Sequence, residues 1–260
     1  MKTQTVKPLI LSLISFILFY SCKKENTGYE NTKNESTFSA DEISADVAPG
    51  ISNLGSEYTM LVLQPNETEG QDTWIDWYAA DPSYANGNAG SIDQFKCFAW
   101  TIEGTPVYSR TLIRFNGLES ISGMKKIVYA KMFLYGLSSS PVHLPLGNSY
   151  YPGSPYEYYG PNNVYVQRIT SPWDENSVTW NTQPSFTSIN KSEIPPSKSQ
   201  WNYNTSVEVT KMVRYFVNNP SRNYGFMLSL ANETPYHSMG FYSSEYTIAK
   251  RRPKLVVVYK

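Results

Sequence analysis

The chain is poor in the residues that most often carry chemistry. It has two cysteines, Cys22 and Cys97, and two histidines, His143 and His237, in 260 residues. Neither histidine has a second at ligand spacing, which excludes the familiar histidine-built metal motifs; each reads as an ordinary surface or loop residue. Cys97 alternates with Phe95 and Ala99, so its thiol is expected in a core rather than as a nucleophile. No Gly-x-Ser-x-Gly elbow exposes a serine beside a base. No Asp-x-Asp-x-Asp-Gly loop is present, although Asn66, Glu67, Asp72, Asp76, Asp81, Asn86 and Asn88 make one stretch rich in oxygen donors. Structural calcium therefore stays open there beside plain turn chemistry. Glu175, Glu208 and Glu245 are available for a glycosidase pair, with no local pattern to single them out. Catalysis is not expected.

Net charge is also lacking. Without Lys2 and Lys7 the chain has 20 basic residues against 22 acidic ones, so nothing argues for nucleic acid as a partner. No apolar run reaches the roughly 20 residues that a membrane-spanning helix needs. The longest runs from Leu9 to Tyr20, behind Lys2 and Lys7 and ahead of Ser21-Cys22. That order predicts a secretion signal over 1–21 with cleavage before Cys22, whose thiol and amine then take lipid. The expected location is the outer membrane, lipid-anchored and open to the cell surface. With Cys22 acylated, Cys97 has no disulfide partner, and the fold must rest on its core. Residues 22–56 are dominated by Lys, Glu, Asn, Thr, Ser and Asp and read as a disordered polar tether.

What the chain has in abundance is aromatic side chains, with 21 tyrosines and 6 tryptophans. From residue 57 to 260 the pattern is one of short segments rich in Val, Ile, Tyr, Phe and Thr, bounded by Gly, Pro, Asn and Ser. Strands are expected at 58–63, 95–100, 107–115, 126–135, 163–169, 177–180, 206–209, 224–230, 239–242 and 254–259. Many short strands between turn signals predict an all-β sandwich of jelly-roll type. One helix is expected, capped by Thr210, with Met212, Val213, Phe216 and Val217 at helical spacing and Asn218-Asn219-Pro220 at its end, lying across an edge or end of the sandwich. The connection from Gly136 to Asn162 is long for a compact domain and holds Tyr150, Tyr151, Tyr156, Tyr158 and Tyr159.

Alternation sorts two strands into faces. Thr111, Ile113 and Phe115 oppose Arg110, Leu112 and Arg114; Val128, Ala130, Met132 and Leu134 oppose Tyr129, Lys131, Phe133 and Tyr135. If the two strands pair, Arg110, Arg114 and Lys131 share a face with Tyr129 and Tyr135. Cations fork onto carboxylates and rings stack on apolar sugar faces, which suits an acidic polysaccharide. Tyr151, Tyr156 and Tyr158 form a second candidate surface. An outer face with ordinary ion pairs, and a tyrosine loop that is only a cover, are the plain alternatives.

The punctuation of residues 58–260 resembles the DNRLRE domain, similar to the carbohydrate-binding modules first associated with alginate. The residues that carry it are Leu63-Gln-Pro65, Gly70-Gln-Asp72, Asn88-Ala-Gly90, Arg110-Thr-Leu-Ile-Arg114-Phe115-Asn116, Ala130 to Tyr135, and Trp173 to Asn181 with Pro184. They continue through Val209-Thr210, Asn223-Tyr-Gly225-Phe226, Phe241-Tyr-Ser-Ser-Glu245 and Arg252-Pro-Lys-Leu255. Asn116 stands where that family has Asp, and the tyrosine-rich insertion is longer. The resemblance implies a non-catalytic β-sandwich that captures polysaccharide, including uronate polymers, with Trp173 and Trp180 in structural roles. The Ser21-Cys22-Lys23 box likewise resembles the looser form found in lipoproteins of the Bacteroidota. A structural or adhesive surface protein without sugar specificity is the alternative, and a lyase or hydrolase a more distant one.

Overall fold

A computed structural model describes residues 58–121, 125–140, 144 and 146–260. The expected signal segment over 1–21, the expected lipid site Cys22, the expected polar linker over 22–56 and His143 lie outside the described residues. In chain order the strands are β1 (Thr59–Leu63), β2 (Gly70–Tyr78), β3 (Gln94–Ile102), β4 (Thr105–Phe115), β5 (Ile127–Leu134), β6 (Val164–Ile169), β7 (Phe186–Ile194), β8 (Thr205–Glu208), β9 (Phe226–Leu230), β10 (His237–Tyr242) and β11 (Lys254–Tyr259). Among the described residues one α-helix, α1 (Thr210–Asn218), interrupts them.

Among the described residues the strands form two antiparallel sheets. The first runs β1-β11-β5-β8, the second β10-β3-β4-β9-β6-β7 with β2 on the other edge of β4. The chain is thus a β-sandwich of jelly-roll type, as its strand pattern predicts. Ala130, Met132, Leu134, Leu255 and Val257 from the first sheet meet Ile113, Phe115, Val166, Phe226 and Leu228 from the second in one buried core. Alternation supplies that match, since every second residue of these strands is apolar and points inward. Met212, Val213 and Phe216 of α1 enter the same core, where Phe216 meets Phe226 edge-on at 5.3 Å.

Several local expectations fail for identifiable reasons. Thr210 is the first helical residue rather than the cap: its hydroxyl accepts from the Ala130 amide at 3.0 Å and donates to Glu208 at 2.9 Å. Ser177–Trp180 is a turn, because Asp174 collects the Asn176 amide, the Ser177 hydroxyl and, through its carbonyl, the Val178 amide. Strand β2 was not expected, and neither was β7, whose polar residues read as a loop but suit an exposed edge. A register shift between Val258 and Tyr259 sends Val128 outward and leaves Ile127 in the core. His237 is a fully buried strand residue (1% exposed), its Nδ1 2.9 Å from the Thr234 carbonyl.

The outer face of the second sheet is roofed. Ile75, Leu112, Ile169 and Met227 lie under Trp173 and Val178 in a second apolar cluster. The Trp173 indole donates to the Tyr224 carbonyl at 2.7 Å, so its burial leaves no donor unpaired. Asn88 clamps the roof by donating to the carbonyls of Glu175 and Val178, at 2.7 and 2.8 Å. Gly225 permits the close approach of β9 to β4: its φ is +80° and a Cβ would collide with the Ile113 carbonyl.

Candidate functional site

The long connection after β5 is anchored against β10 by buried polar groups. Asn162 donates to the Ser238 carbonyl at 2.6 Å, the Gly240 amide to Asn148 at 3.1 Å, and the Ser238 amide to the Ser149 hydroxyl at 3.0 Å. A loop held this way presents its side chains in a fixed arrangement. At its tip a short 3₁₀ turn, Glu157–Tyr159, carries two tyrosines outward, and Glu157 accepts from the Gly153 amide.

These tyrosines converge with two rings from elsewhere. Trp100 of β3 meets Tyr156 at 4.6 Å and Tyr236 at 5.1 Å, both edge-on, and stacks on Phe98 at 5.7 Å. Tyr236, in the turn before β10 with φ of +75°, lies 4.5 Å from Tyr159, which meets Tyr158 at 5.7 Å. Trp100 is buried at the base, Tyr159 is 45% exposed and Tyr158 is 93% exposed. The result is a pre-arranged aromatic patch with a buried floor and open upper rings. Flat apolar ring faces with hydroxyls at their rims suit the alternating apolar and hydroxylated faces of a sugar. The sequence named Tyr156 and Tyr158; it offered no signal that Trp100 and Tyr236 would join them.

The expected cationic surface is not assembled. β4 lies in the second sheet and β5 in the first, so the two strands do not pair. Arg110 is engaged beneath the roof: Nε and Nη2 donate to Glu233 at 2.8 and 2.7 Å, Nη1 donates to Gln183 at 3.0 Å, and Trp180 stacks at 4.8 Å. Arg114 donates to Asn116 at 3.1 Å, with burial depressing its pKa against the opposing pull of Glu175, Glu119 and Asp174. Tyr129 and Lys131 stand on the outer face of the first sheet, where burial followed by the Glu208 charge pushes the Tyr129 pKa up. Tyr135 packs against the satellite cluster of Leu137, Leu144 and Tyr242, and Tyr151 is half-buried at the start of the loop turn. Cys97 is buried and its thiol is pushed up to about 12, chiefly by burial, so it is not poised as a nucleophile.

Three carboxylates gather at the edge of the roof. Asp72 of β2, Glu175 of the roof and Glu245 after β10 each place an oxygen within 4.8 Å of the others. Asp72 is 2% exposed and Glu175 8%. The Asp72 amide donates to Glu175 at 2.7 Å, and the Ser244 amide donates to Asp72 at 3.0 Å. Burial, then the neighbouring Glu245, raises the Asp72 pKa well above its ordinary value; burial raises that of Glu245. One oxygen of Glu245, Oε2, is buried without a hydrogen-bond partner. Like charges this close either share protons or surround a cation, and an all-oxygen set has the chemistry to hold calcium. Two of these acids were glycosidase candidates on sequence grounds. With Asp72 they form a strut that joins β2, the roof and the turn after β10.

Comparison with known proteins bears on one half of this arrangement. A family model described as carbohydrate-binding module family 96 matches residues 156–259. That stretch holds Tyr156, Tyr158, Tyr159, Tyr236, Glu175 and Glu245, and leaves β1 to β5 outside. The match supports carbohydrate binding. The chain is also 36% identical over 75 residues to the tRNA3(Ser)-specific nuclease WapA of Bacillus spizizenii. That segment is 28% of this chain and 3% of the relative, so the chain spans only a small fraction of that protein's length.

Proposed function

We propose that the chain is a non-catalytic, lipid-anchored envelope protein that captures polysaccharide on the aromatic patch of Trp100, Tyr156, Tyr158, Tyr159 and Tyr236. The observation that carries this reading is the pair of exposed rings, Tyr158 and Tyr159, braced by a buried aromatic floor. Pre-organisation matters because a ligand then need not order the site as it binds. Ring stacking, rather than a row of cations, is the recognition the geometry favours, since Arg110 is bonded to Glu233 and Gln183. An acidic, uronate-type ligand is the finer version of the reading and draws its support from the family resemblance alone. Display of many copies on a membrane strengthens weak single-site binding.

Affinity electrophoresis of the protein through neutral glucans, alginate and pectin tests the reading. Retardation that is lost in Tyr158→Ala/Tyr159→Ala supports it, and stronger retardation by the two acidic polymers supports uronate preference. Unaltered mobility in every polymer would leave the structural or adhesive alternative. Product release from any polymer would show catalysis. Incorporation of labelled palmitate, abolished by Cys22→Ala, tests the anchor, and fractionation of the envelope tests the outer-membrane location.

A further inference from the structure

The aromatic patch lies at one end of a longer track. Ile75 of β2 points to the roof, so Trp74 and Asp76 beside it, and Tyr78 beyond them, face the other side of the second sheet. Along this line the strand leaves the core: Trp74 belongs to it, the Asp76 side chain is 23% exposed and Tyr78 is half-buried. Strand register carries the line into the patch. Val107 of β4 lies opposite both Tyr78 of β2 and Trp100 of β3, and Ser109 lies opposite both Asp76 and Phe98. Directly opposed residues share a face. Two strand spacings separate Tyr78 from Trp100, about 10 Å. Tyr84, on the 3₁₀ turn Pro82–Asn86, meets Tyr78 edge-on at 5.4 Å and is 39% exposed. Between the two aromatic ends the floor is polar. Asp76 accepts from the Trp74 indole at 2.8 Å and from the Ser109 hydroxyl, and lies 3.5 Å from Lys96, whose ammonium stands 5.5 Å from the Phe98 ring.

We propose that the polysaccharide site runs on from the tyrosine patch across β3, β4 and β2 to Tyr78 and Tyr84, and that it takes a neutral, hydroxyl-rich chain of several sugars. This rests on the glycan reading of the patch and extends it. The added rings continue the stacking surface beyond the reach of one sugar ring, so neighbouring sugars of one chain occupy the two ends. A sugar hydroxyl both donates and accepts, and the floor offers it an acceptor in Asp76 and a donor in Lys96. Charge sets the class of chain. Residues 79–86, 103–104, 150–160 and 231–236, which carry or flank the rings, contain Asp81, Glu103, Glu157 and Glu233 and no lysine or arginine. Glu233 is paired with Arg110, and Lys96, the cation on this track, is paired with Asp76. A uronate carboxylate entering here meets like charge, which costs affinity; a neutral chain does not.

Affinity electrophoresis of the full chain through xyloglucan, galactomannan, alginate and polygalacturonate, at low and at physiological salt, tests the extension. A neutral polymer is expected to retard the protein more than either acidic one, with the gap widest at low salt, where like charges are least screened. Tyr78→Ala/Tyr84→Ala is expected to weaken that retardation at least about three-fold. Tyr84→Ala alone, the loss of an exposed ring, keeps the test if the double variant does not fold. Retardation that falls in Tyr158→Ala/Tyr159→Ala but is unchanged in folded Tyr84→Ala would overturn the extension and leave the patch standing. Stronger retardation by alginate or polygalacturonate would overturn the neutral class. Unaltered mobility in all four polymers would overturn the extension together with the reading it rests on.

Discussion

The two outward faces of the sandwich solve the same problem differently. Each carries apolar residues where a two-layer sandwich usually shows polar ones. On the second sheet, Ile75, Leu112, Ile169 and Met227 are roofed by Trp173 and Val178, and the roof is fastened by Asn88, Arg110 and the carboxylate trio. On the first sheet, Val256 and Val258 are equally withdrawn, but their described surroundings are only strand neighbours and a lysine rim. A roof held by directional bonds is rigid and specific in its attachments. The comparison makes the fastened roof the place where single substitutions are expected to cost most.

The largest expected effect is on the roof. Trp173→Ala removes a buried indole and leaves a cavity, at a cost of about 3–5 kcal/mol, measured by chemical denaturation. A loss under 1 kcal/mol would mean that the roof is not part of the folded unit.

Next is the fastening by carboxylates. Asp72 and Glu245 have pKa values raised in the folded protein, so they bind protons more tightly folded than unfolded. Their stabilising contribution is complete below pH about 4 and is lost as pH rises through the raised folded values. Without divalent cation the denaturation midpoint is therefore expected to fall from pH 4 toward neutrality, and Glu245→Gln to flatten that fall. Bound calcium would cancel it, worth about 2.7 kcal/mol at a hundred times its dissociation constant. A pH slope that calcium does not alter assigns the trio to a shared proton.

Arg110→Ala is expected to cost about 1–2 kcal/mol, since its charged hydrogen bonds to Glu233 are partly screened by solvent. Retardation by glycans is expected to persist in this variant, because the side chain is a roof fastening. Loss of binding at unchanged stability would return Arg110 to the ligand site. The smallest effect on stability, within about 0.5 kcal/mol, is expected for Tyr158→Ala, with a selective loss of glycan retardation. Equal binding by this variant and the parent would remove Tyr158 from the patch.

Much of the framework could be read from residue order. Inward Ile113 and Phe115 opposed Arg110 and Leu112 by alternation, and they do so in the sandwich. Met212, Val213 and Phe216 marked the helix by spacing, and they fill the core. β7 stayed hidden because an edge strand can be polar on both sides, and Ser177–Trp180 misled because turn bonding by Asp174 outweighs β propensity. The candidate site was half readable: Tyr156 and Tyr158 stood out in an unusually long, aromatic loop. Trp100 and Tyr236 lie about 56 and 80 residues away from Tyr156, and no local pattern ties them to it. Arg110, Arg114 and Lys131 were grouped on a pairing that the strand order does not contain.

The order of residues alone determined the all-β class, the inner and outer sides of most strands, the helix over Thr210–Asn218 and the burial of Cys97. Those follow from periodicity and side-chain chemistry, which act between near neighbours. Only the tertiary structure decided that β4 and β5 belong to different sheets, that Asp72, Glu175 and Glu245 meet, and that five rings from three separated segments form one patch. Such outcomes depend on which strands pair across long separations, and that choice is made by the packing of the whole core.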